Sequence, residues 1–199
     1  MNREAPVGQE AKVFFYSKSA AGSAKCPVHY ELLLSGKLPD GSNWRRILSN
    51  FHPSEIEVDG RRYNSVEHGF QAAKFLSSDR PREAKEFEIF GTVGCIPLDA
   101  KRAGSRTGFK RKQARLRAAE WEEKRDEVMM RLLRARWDCD LEFRHILQVT
   151  HAQQLELVHF ERSGPRSYWG AHMCRKTGRV LGKNRLGGLL MQLSSEKFQ

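Results

Sequence analysis

Glu67, Gln71 and Lys74 recur along Asn64 to Leu76, NSVEHGFQAAKFL, at spacings that would align them on a helix. At 100° per residue the three fall within about 60° of one another, with Phe70 on one flank and Phe75 and His68 on the other. The far side is Gly69, Ala72 and Leu76, so no charged face remains for solvent. A helix apolar nearly all round is normally buried, and Glu and Lys are rarely buried without a partner. A carboxylate and an amine held between aromatic walls suggest a cleft equipped for proton transfer and amine chemistry.

A structural role competes with that reading. Asn64 is a good N-cap, and Glu67 three residues on would complete a capping box. Glu67 and Lys74 are separated by two turns, about 10 Å of rise, beyond the reach of one-turn ion pairing. Lys74 nevertheless leans back toward Glu67, because helical side chains tilt toward the N-terminus.

Tyr168-Trp169-Gly170 and Gly182-Lys183-Asn184-Arg185-Leu186-Gly187 form a second constellation. Asn184 or a neighbour caps a helix whose buried stripe is Leu186, Leu189, Leu190 and Leu193. Free N–H groups at that helix start, with Lys183 and Arg185 beside them, outline an anion site. Neither a phosphate-binding GxxxxGK[ST] loop nor a dinucleotide fingerprint is present. Trp169 suits either stacking on a base or sugar, or the core.

The elements that must position these residues follow from the pattern. Val13 to Tyr16 reads as a strand, His29 to Leu34 as a short element, and Ile56, Val58 and Tyr63 around Asp59-Gly60 as a hairpin. Helices are expected over Glu83 to Phe90, Leu116 to Trp137 and around Phe143 to Thr150, with a short piece at Ile96 to Ala103 and a basic loop at Gly104 to Gly108. Leu155 to Phe160 alternates as a strand should.

The 199 residues suit one domain with a substantial core. No apolar run is long enough to span a bilayer and Met1 to Ala11 is polar, so a soluble, intracellular protein of cytoplasm or nucleus is expected. Cys26, Cys95, Cys139 and Cys174 lack CxxC spacing, and the single His172/Cys174 pair is weak, so neither disulfides nor a metal is expected. The net charge of +11 is uneven: Lys101 to Arg136 holds thirteen Lys/Arg against five Asp/Glu, or +8. Such a region attracts polyanions, although on an amphipathic helix the same residues would form a solvated face.

In order along the chain, Phe15-Tyr16-Ser17, Leu48-Ser49-Asn50-Phe51, the Ser65 to Phe75 helix, Trp121, Tyr168-Trp169-Gly170 and Gly182 to Gly187 resemble the NADAR, or YbiA-like, family. The resemblance implies an α+β fold, predominantly helical, as a single compact domain with a few short strands over residues 13–194. Tails at 1–12 and 195–199 flank it, and residues 18–47 form an insertion. The implied activity is hydrolysis of N-glycosidic bonds, either releasing ADP-ribose from ADP-ribosylated guanine in DNA or nucleotide, or cleaving phosphorylated riboflavin-pathway intermediates. A non-catalytic module binding ADP-ribose or nucleic acid is a third possibility. Carried over by position, Glu67 matches the catalytic glutamate and Lys74 the lysine of the same helix. Ser49, Asn50, Phe51, Trp121, Trp169, Gly170, Lys183, Asn184 and Arg185 fall on positions implied to line the ligand, and Gln71 of the stripe joins them. No cofactor, metal or membrane is implied; the expected partners are ADP-ribose or ADP-ribosylated guanine, with nucleic acid as substrate. Oligomeric state is left open.

Two features depart from the family pattern. Lys18 to Ile47 is longer than in bacterial YbiA-type members, as a variant lid or substrate wall would be. The acidic residue those members place just before the Tyr-Trp-Gly motif is absent from Gly164-Pro165-Arg166-Ser167. The chemistry can run without that acid. Breaking a ribosyl C1–N bond builds positive charge at C1 and negative charge on the departing amine. Glu67 can serve as the acid/base. Lys74, desolvated between Phe70 and Phe75, can attack as an amine or simply orient the ribose, with the helix near Asn184 holding phosphate.

Overall fold

A computed structural model of the chain describes residues 12–19, 44–174 and 176–198. The element read at His29 to Leu34, most of the 18–47 insertion and Cys26 lie outside the described residues. The chain runs through β1 (Lys12–Phe15), a 3-10 turn Trp44–Arg46, β2 (Ile56–Val58), β3 (Arg61–Tyr63) and α1 (Val66–Leu76). A 3-10 helix Pro81–Phe87 precedes α2 (Pro97–Ala103), α3 (Arg106–Arg111), α4 (Ala118–Cys139) and α5 (Leu141–Ala152). Then come β4 (Glu156–His159), a 3-10 turn Gly164–Arg166, β5 (His172–Met173), β6 (Val180–Leu181) and α6 (Arg185–Lys197). The fold is α+β and predominantly helical, as expected. α6 continues to Lys197, into the stretch expected as a tail.

Two compact units make up the chain, one of residues up to Leu48 together with those from His145 onward, the other Ser49–Arg144. In the second unit the expected hairpin forms, Ile56 opposite Tyr63 and Val58 opposite Arg61. Asp59 and Gly60 both adopt positive φ, 53° and 69°, as the favoured two-residue hairpin turn demands. α1 packs on α2, α4 and the Pro81–Phe87 helix. Gly69 permits the approach to α4, since a Cβ there would lie 2.4 Å from Leu132 Cδ2. Phe75 stacks on Phe109 with ring centroids 4.1 Å apart and lies 5.4 Å from Phe87. Each such fully buried ring contributes roughly 1.5–3 kcal/mol.

Local chemistry explains where the elements differ from expectation. Pro81 begins a 3-10 helix in place of the α-helix read at Glu83 to Phe90. The basic stretch Gly104 to Gly108, expected as a loop, begins α3 instead: Ser105 caps it by accepting from the Gly108 N–H at 3.2 Å. Gly108 is required there for space, because a Cβ would fall 1.9 Å from the Ala103 carbonyl oxygen.

In the first unit β1 pairs parallel with β4, from Lys12 opposite Glu156 to Phe15 opposite His159, and Lys12 forms an ion pair with Glu156. Phe14, Val158 and Ala171 form a core cluster against which Phe160, Met173 and Val180 pack. α6 lies on β4 and buries Leu186, Leu189, Leu190 and Leu193, the stripe read from the sequence.

Candidate active site

Ser65, not Asn64, caps α1. Its backbone is extended, and its Oγ accepts weakly from the His68 N–H at 3.5 Å while lying 2.8 Å from His68 Nδ1. Asn64 donates its side-chain amide to the Gly94 carbonyl at 2.8 Å. Glu67 is therefore the second helical residue, one short of the position a capping box needs, and the competing structural reading of Glu67 is corrected on that ground. Burial pulls the His68 imidazole below its ordinary pKa, against an opposing contact from the Val93 backbone, and favours the neutral ring.

Glu67, Gln71 and Lys74 form one hydrogen-bonded relay. Gln71 Nε2 donates to Glu67 Oε1 at 2.8 Å, and Lys74 Nζ donates to Gln71 Oε1 at 2.9 Å. The carboxylate can only accept and the ammonium only donate, which fixes the orientation of the amide between them. Glu67 is 6% exposed and Gln71 5%. The two-turn separation that rules out a direct pair is bridged by the residue between. Lys74 also donates to the Gly104 carbonyl. Burial lowers the Lys74 pKa from the usual lysine value; Glu67 opposes the shift and Lys101 adds to it. Gly104 has φ −85° and ψ 8°, open to any residue, but a Cβ there would stand 2.0 Å from Gln71 Oε1. Glycine supplies room for the relay.

Ser49, Asn50 and Phe51 of the same unit buttress α1. The Asn50 carbonyl accepts the Glu67 N–H at 3.0 Å, and the Asn50 amide donates to Met129 Sδ at 3.5 Å. Ser49 accepts from Arg136 Nη1 through its carbonyl at 3.1 Å and from the Phe51 N–H through its hydroxyl at 3.2 Å. Lys101 Nζ stands 5.4 Å from the centre of the Phe51 ring. Trp121 is buried, 5.1 Å from Phe70 at a 59° tilt. Arg136, counted in the sequence among basic residues suited to a solvated face, is fully buried, paired with Asp140 at 3.0 Å and 4.2 Å from the centre of the Phe143 ring. An Asp one turn after an Arg was the only signal in the sequence for this anchor.

Trp169, Gly170, Lys183, Asn184 and Arg185 belong to the first unit. Tyr168 and Trp169 meet edge to face at 5.0 Å, and Lys183 Nζ lies 5.3 Å from the Tyr168 ring centre. The free N–H groups expected at the start of α6 are not free. Lys183, Asn184, Arg185 and Leu186 donate to the carbonyls of Ser167, Gly170, Tyr168 and Trp169 at 3.1–3.2 Å. Asn184 sits in the left-handed region, φ 47°, and makes no side-chain cap. Its Oδ1 accepts from the His159 N–H and its Nδ2 donates to the Leu157 carbonyl, which staples α6 to β4. The anion site outlined from backbone donors is thereby corrected: the Tyr-Trp-Gly segment has taken them. A carboxylate does reach that segment through space, since Ser167 Oγ donates to Glu161, six residues upstream.

Among the described residues no group of three or more His, Cys, Asp or Glu stands together as a metal site, and no helix is long and apolar enough to cross a membrane. Cys95, Cys139 and Cys174 are free thiols.

The NADAR domain model matches residues 41–196, so the helix with its Glu-Gln-Lys relay and all but the last residue of the stapled α6 fall inside the match, and the chain belongs to the NADAR family. N-glycosidase YbiA of Escherichia coli K12 is 33% identical over 148 residues, covering 74% of this chain and 79% of the relative. N-glycosidase YbiA of Shigella boydii serotype 4 matches to the same extent. The NMR structure of the E. coli protein YbiA superposes with a TM-score of 0.56 at 32% identity, over 78% of this chain and 80% of that one.

Proposed function

We propose that this protein is an N-glycosidase that hydrolyses the ribosyl C1–N bond of ADP-ribosylated guanine in DNA or nucleotide, releasing ADP-ribose and restoring the base. The observation that supports it most is the buried relay of Glu67, Gln71 and Lys74, an acid and an amine joined through one amide within hydrogen-bond range. Membership of the NADAR family, together with 33% identity to proteins named N-glycosidase YbiA, supports the reaction class. The proposed step starts once a proton has moved from the Lys74 ammonium to the Glu67 carboxylate; the Glu67 carboxyl then gives that proton to the departing guanine nitrogen as the C1–N bond breaks, and the bond's electron pair leaves with the base. Lys74, as the neutral amine favoured by its burial, adds to C1; the ring C1–O4′ bond then breaks as one of the amine's protons passes through the Glu67 carboxylate to O4′, leaving a protonated Schiff base, and water adds to C1, returns a proton to Glu67 and expels the Lys74 amine. Lys74 serves equally as an electrostatic partner if water attacks C1 directly, with Glu67 as the base. The positive excess of the 101–136 region favours a substrate bearing phosphates and ranks ADP-ribosylated nucleic acid above a ribosylaminopyrimidine phosphate.

The test is to incubate the protein with an ADP-ribosylated oligonucleotide and, separately, with ribosylaminopyrimidine phosphates, and to follow the released products chromatographically. Release of ADP-ribose from the first, falling about 10²- to 10⁴-fold in Glu67→Gln, is expected. Turnover of the second alone, or of neither by folded protein, overturns the assignment.

A further inference from the structure

Lys74 opens onto a cleft of about 730 Å³ that Arg106, Thr107, Phe109 and Lys110 also line. Arg106 and Lys110 lie one turn apart on α3, where like charges repel by roughly 0.2–0.5 kcal/mol. Among the described residues no acidic side chain lines the cleft. Phe109 closes one side, held by its stack on Phe75.

Ion pairing sorts the basic residues of this region. Arg102 is matched by Asp99, Lys112 by Glu83 and Glu86, Lys124 by Glu120, Arg125 by Glu122 and Arg131 by Asp59. Lys101, Arg106, Lys110, Arg111 and Arg115 are exposed and have no carboxylate partner among the described residues. The uncompensated charge is thus concentrated on α2, α3 and the turn after them, while α4 is largely self-neutralised. A diphosphate bears about two negative charges, fewer than the five cations outside the relay. An anion that satisfies them all is longer than the diphosphate of ADP-ribose.

We propose that the α3 cleft and the cationic surface beside it grip the phosphodiester backbone of a single nucleic-acid strand, so that the ribosylated base is presented to Lys74 from within a polynucleotide. The inference rests on the reading of Lys74 as part of the reaction centre. Arg106 and Lys110 hold phosphates, and Phe109 offers an apolar wall to a sugar or base. Strand binding through this surface is salt-sensitive, and each lost phosphate contact lowers the salt slope by about 0.7.

The experiment uses the full chain. Fluorescence anisotropy measures binding of an unmodified single-stranded DNA oligonucleotide to wild type, to the double variant Arg106→Gln/Lys110→Gln and to Lys124→Gln as a charge control outside the cleft. Steady-state kinetics compare ADP-ribosylated guanine as a mononucleotide and within the same oligonucleotide. The double variant should bind the oligonucleotide about 10- to 100-fold more weakly, lower the salt slope by about 1.4, and raise KM for the oligonucleotide but not the mononucleotide. Lys124→Gln should behave as wild type. Equal KM increases for both substrates would place the ADP-ribose diphosphate in the cleft and overturn the proposal, as would unchanged strand binding in the double variant. Loss of strand binding in a protein that turns over neither substrate supports the cleft assignment and overturns only the glycosidase reading.

Discussion

Gly104→Ala is the sharpest probe of the relay, because one methyl group is set against one amide. The backbone at 104 accepts alanine without strain, so every consequence comes from the Cβ, which would lie 2.0 Å from Gln71 Oε1, 2.7 Å from its Cδ and 2.8 Å from its Cβ. Gln71 is 5% exposed and cannot swing into solvent. The amide must rotate or shift, and its bonds to Glu67 and Lys74 both involve a group that can be charged. Losing one such bond costs about 1.5–3 kcal/mol, which corresponds to a roughly 10- to 150-fold drop in kcat/KM if the relay sets the geometry of the reacting pair. Overpacking also costs about 1–3 kcal/mol of stability, measurable by urea denaturation. In a Gln71→Gly background all three of these atoms are gone, so Gly104→Ala should add less than about 0.5 kcal/mol to either quantity. A folded Gly104→Ala enzyme with wild-type kcat/KM, or a full additive penalty on top of Gln71→Gly, would refute the relay as the organising feature of the site.

Other outcomes follow from the same geometry. Arg136→Met strips Asp140 of its buried partner and Ser49 of a donor, and should cost about 3–5 kcal/mol in urea denaturation, with part recovered in Arg136→Met/Asp140→Asn. Burial alone would raise the Asp140 carboxyl, but Arg136, the Ser54 hydroxyl and the Phe143 N–H together hold it below its ordinary value. The stability this contributes is present above the unfolded carboxyl pKa of about 3.9 and is lost as pH falls through the lower folded value, so Asp140→Asn should flatten the acid limb of the stability profile. If Lys74 reacts as a neutral amine, kcat rises with pH through its lowered pKa. Lys101→Gln removes a nearby positive charge, raises that pKa and should move the limb to higher pH, while borohydride during turnover should trap an adduct on wild type and none on Lys74→Met.

The local signals in the sequence were the ones that transferred. Asp59-Gly60 specifies its turn through two positive φ angles that few other dipeptides accept, and the α6 leucine stripe is a matter of period alone. The helical line of Glu67, Gln71 and Lys74 was likewise legible, but the cap was not. Asn64 and Ser65 are equally good caps, and the choice fell to Ser65 because a carbonyl thirty residues away, that of Gly94, engages the Asn64 side chain. Arg136 looked like one more surface cation until Asp140 and the Ser49 carbonyl came to it from either side. The anion site expected at α6 failed for a similar reason. Orphan donors at a helix start are a certainty of geometry, but which acceptor reaches them first is decided by another segment, here residues 167–170. Gly104 showed no sign of its role, since its requirement is set by a glutamine thirty-three positions earlier.

The parallel pairing of β1 with β4 joins Lys12 to Glu156, so closing it means bringing together chain positions 144 residues apart. Ser49–Arg144, by contrast, is one uninterrupted stretch and contains its own hairpin, helices and aromatic core. During synthesis the apolar Val13-Phe14-Phe15 strand emerges first and its partner only after that entire stretch has been made. Loop-closure entropy grows only slowly with length, so the delay weighs on folding rate and on exposure to aggregation more than on final stability. Nascent chains halted before β4 should therefore hold an assembled Glu-Gln-Lys helix while the first strand still waits, bare-edged, for its mate.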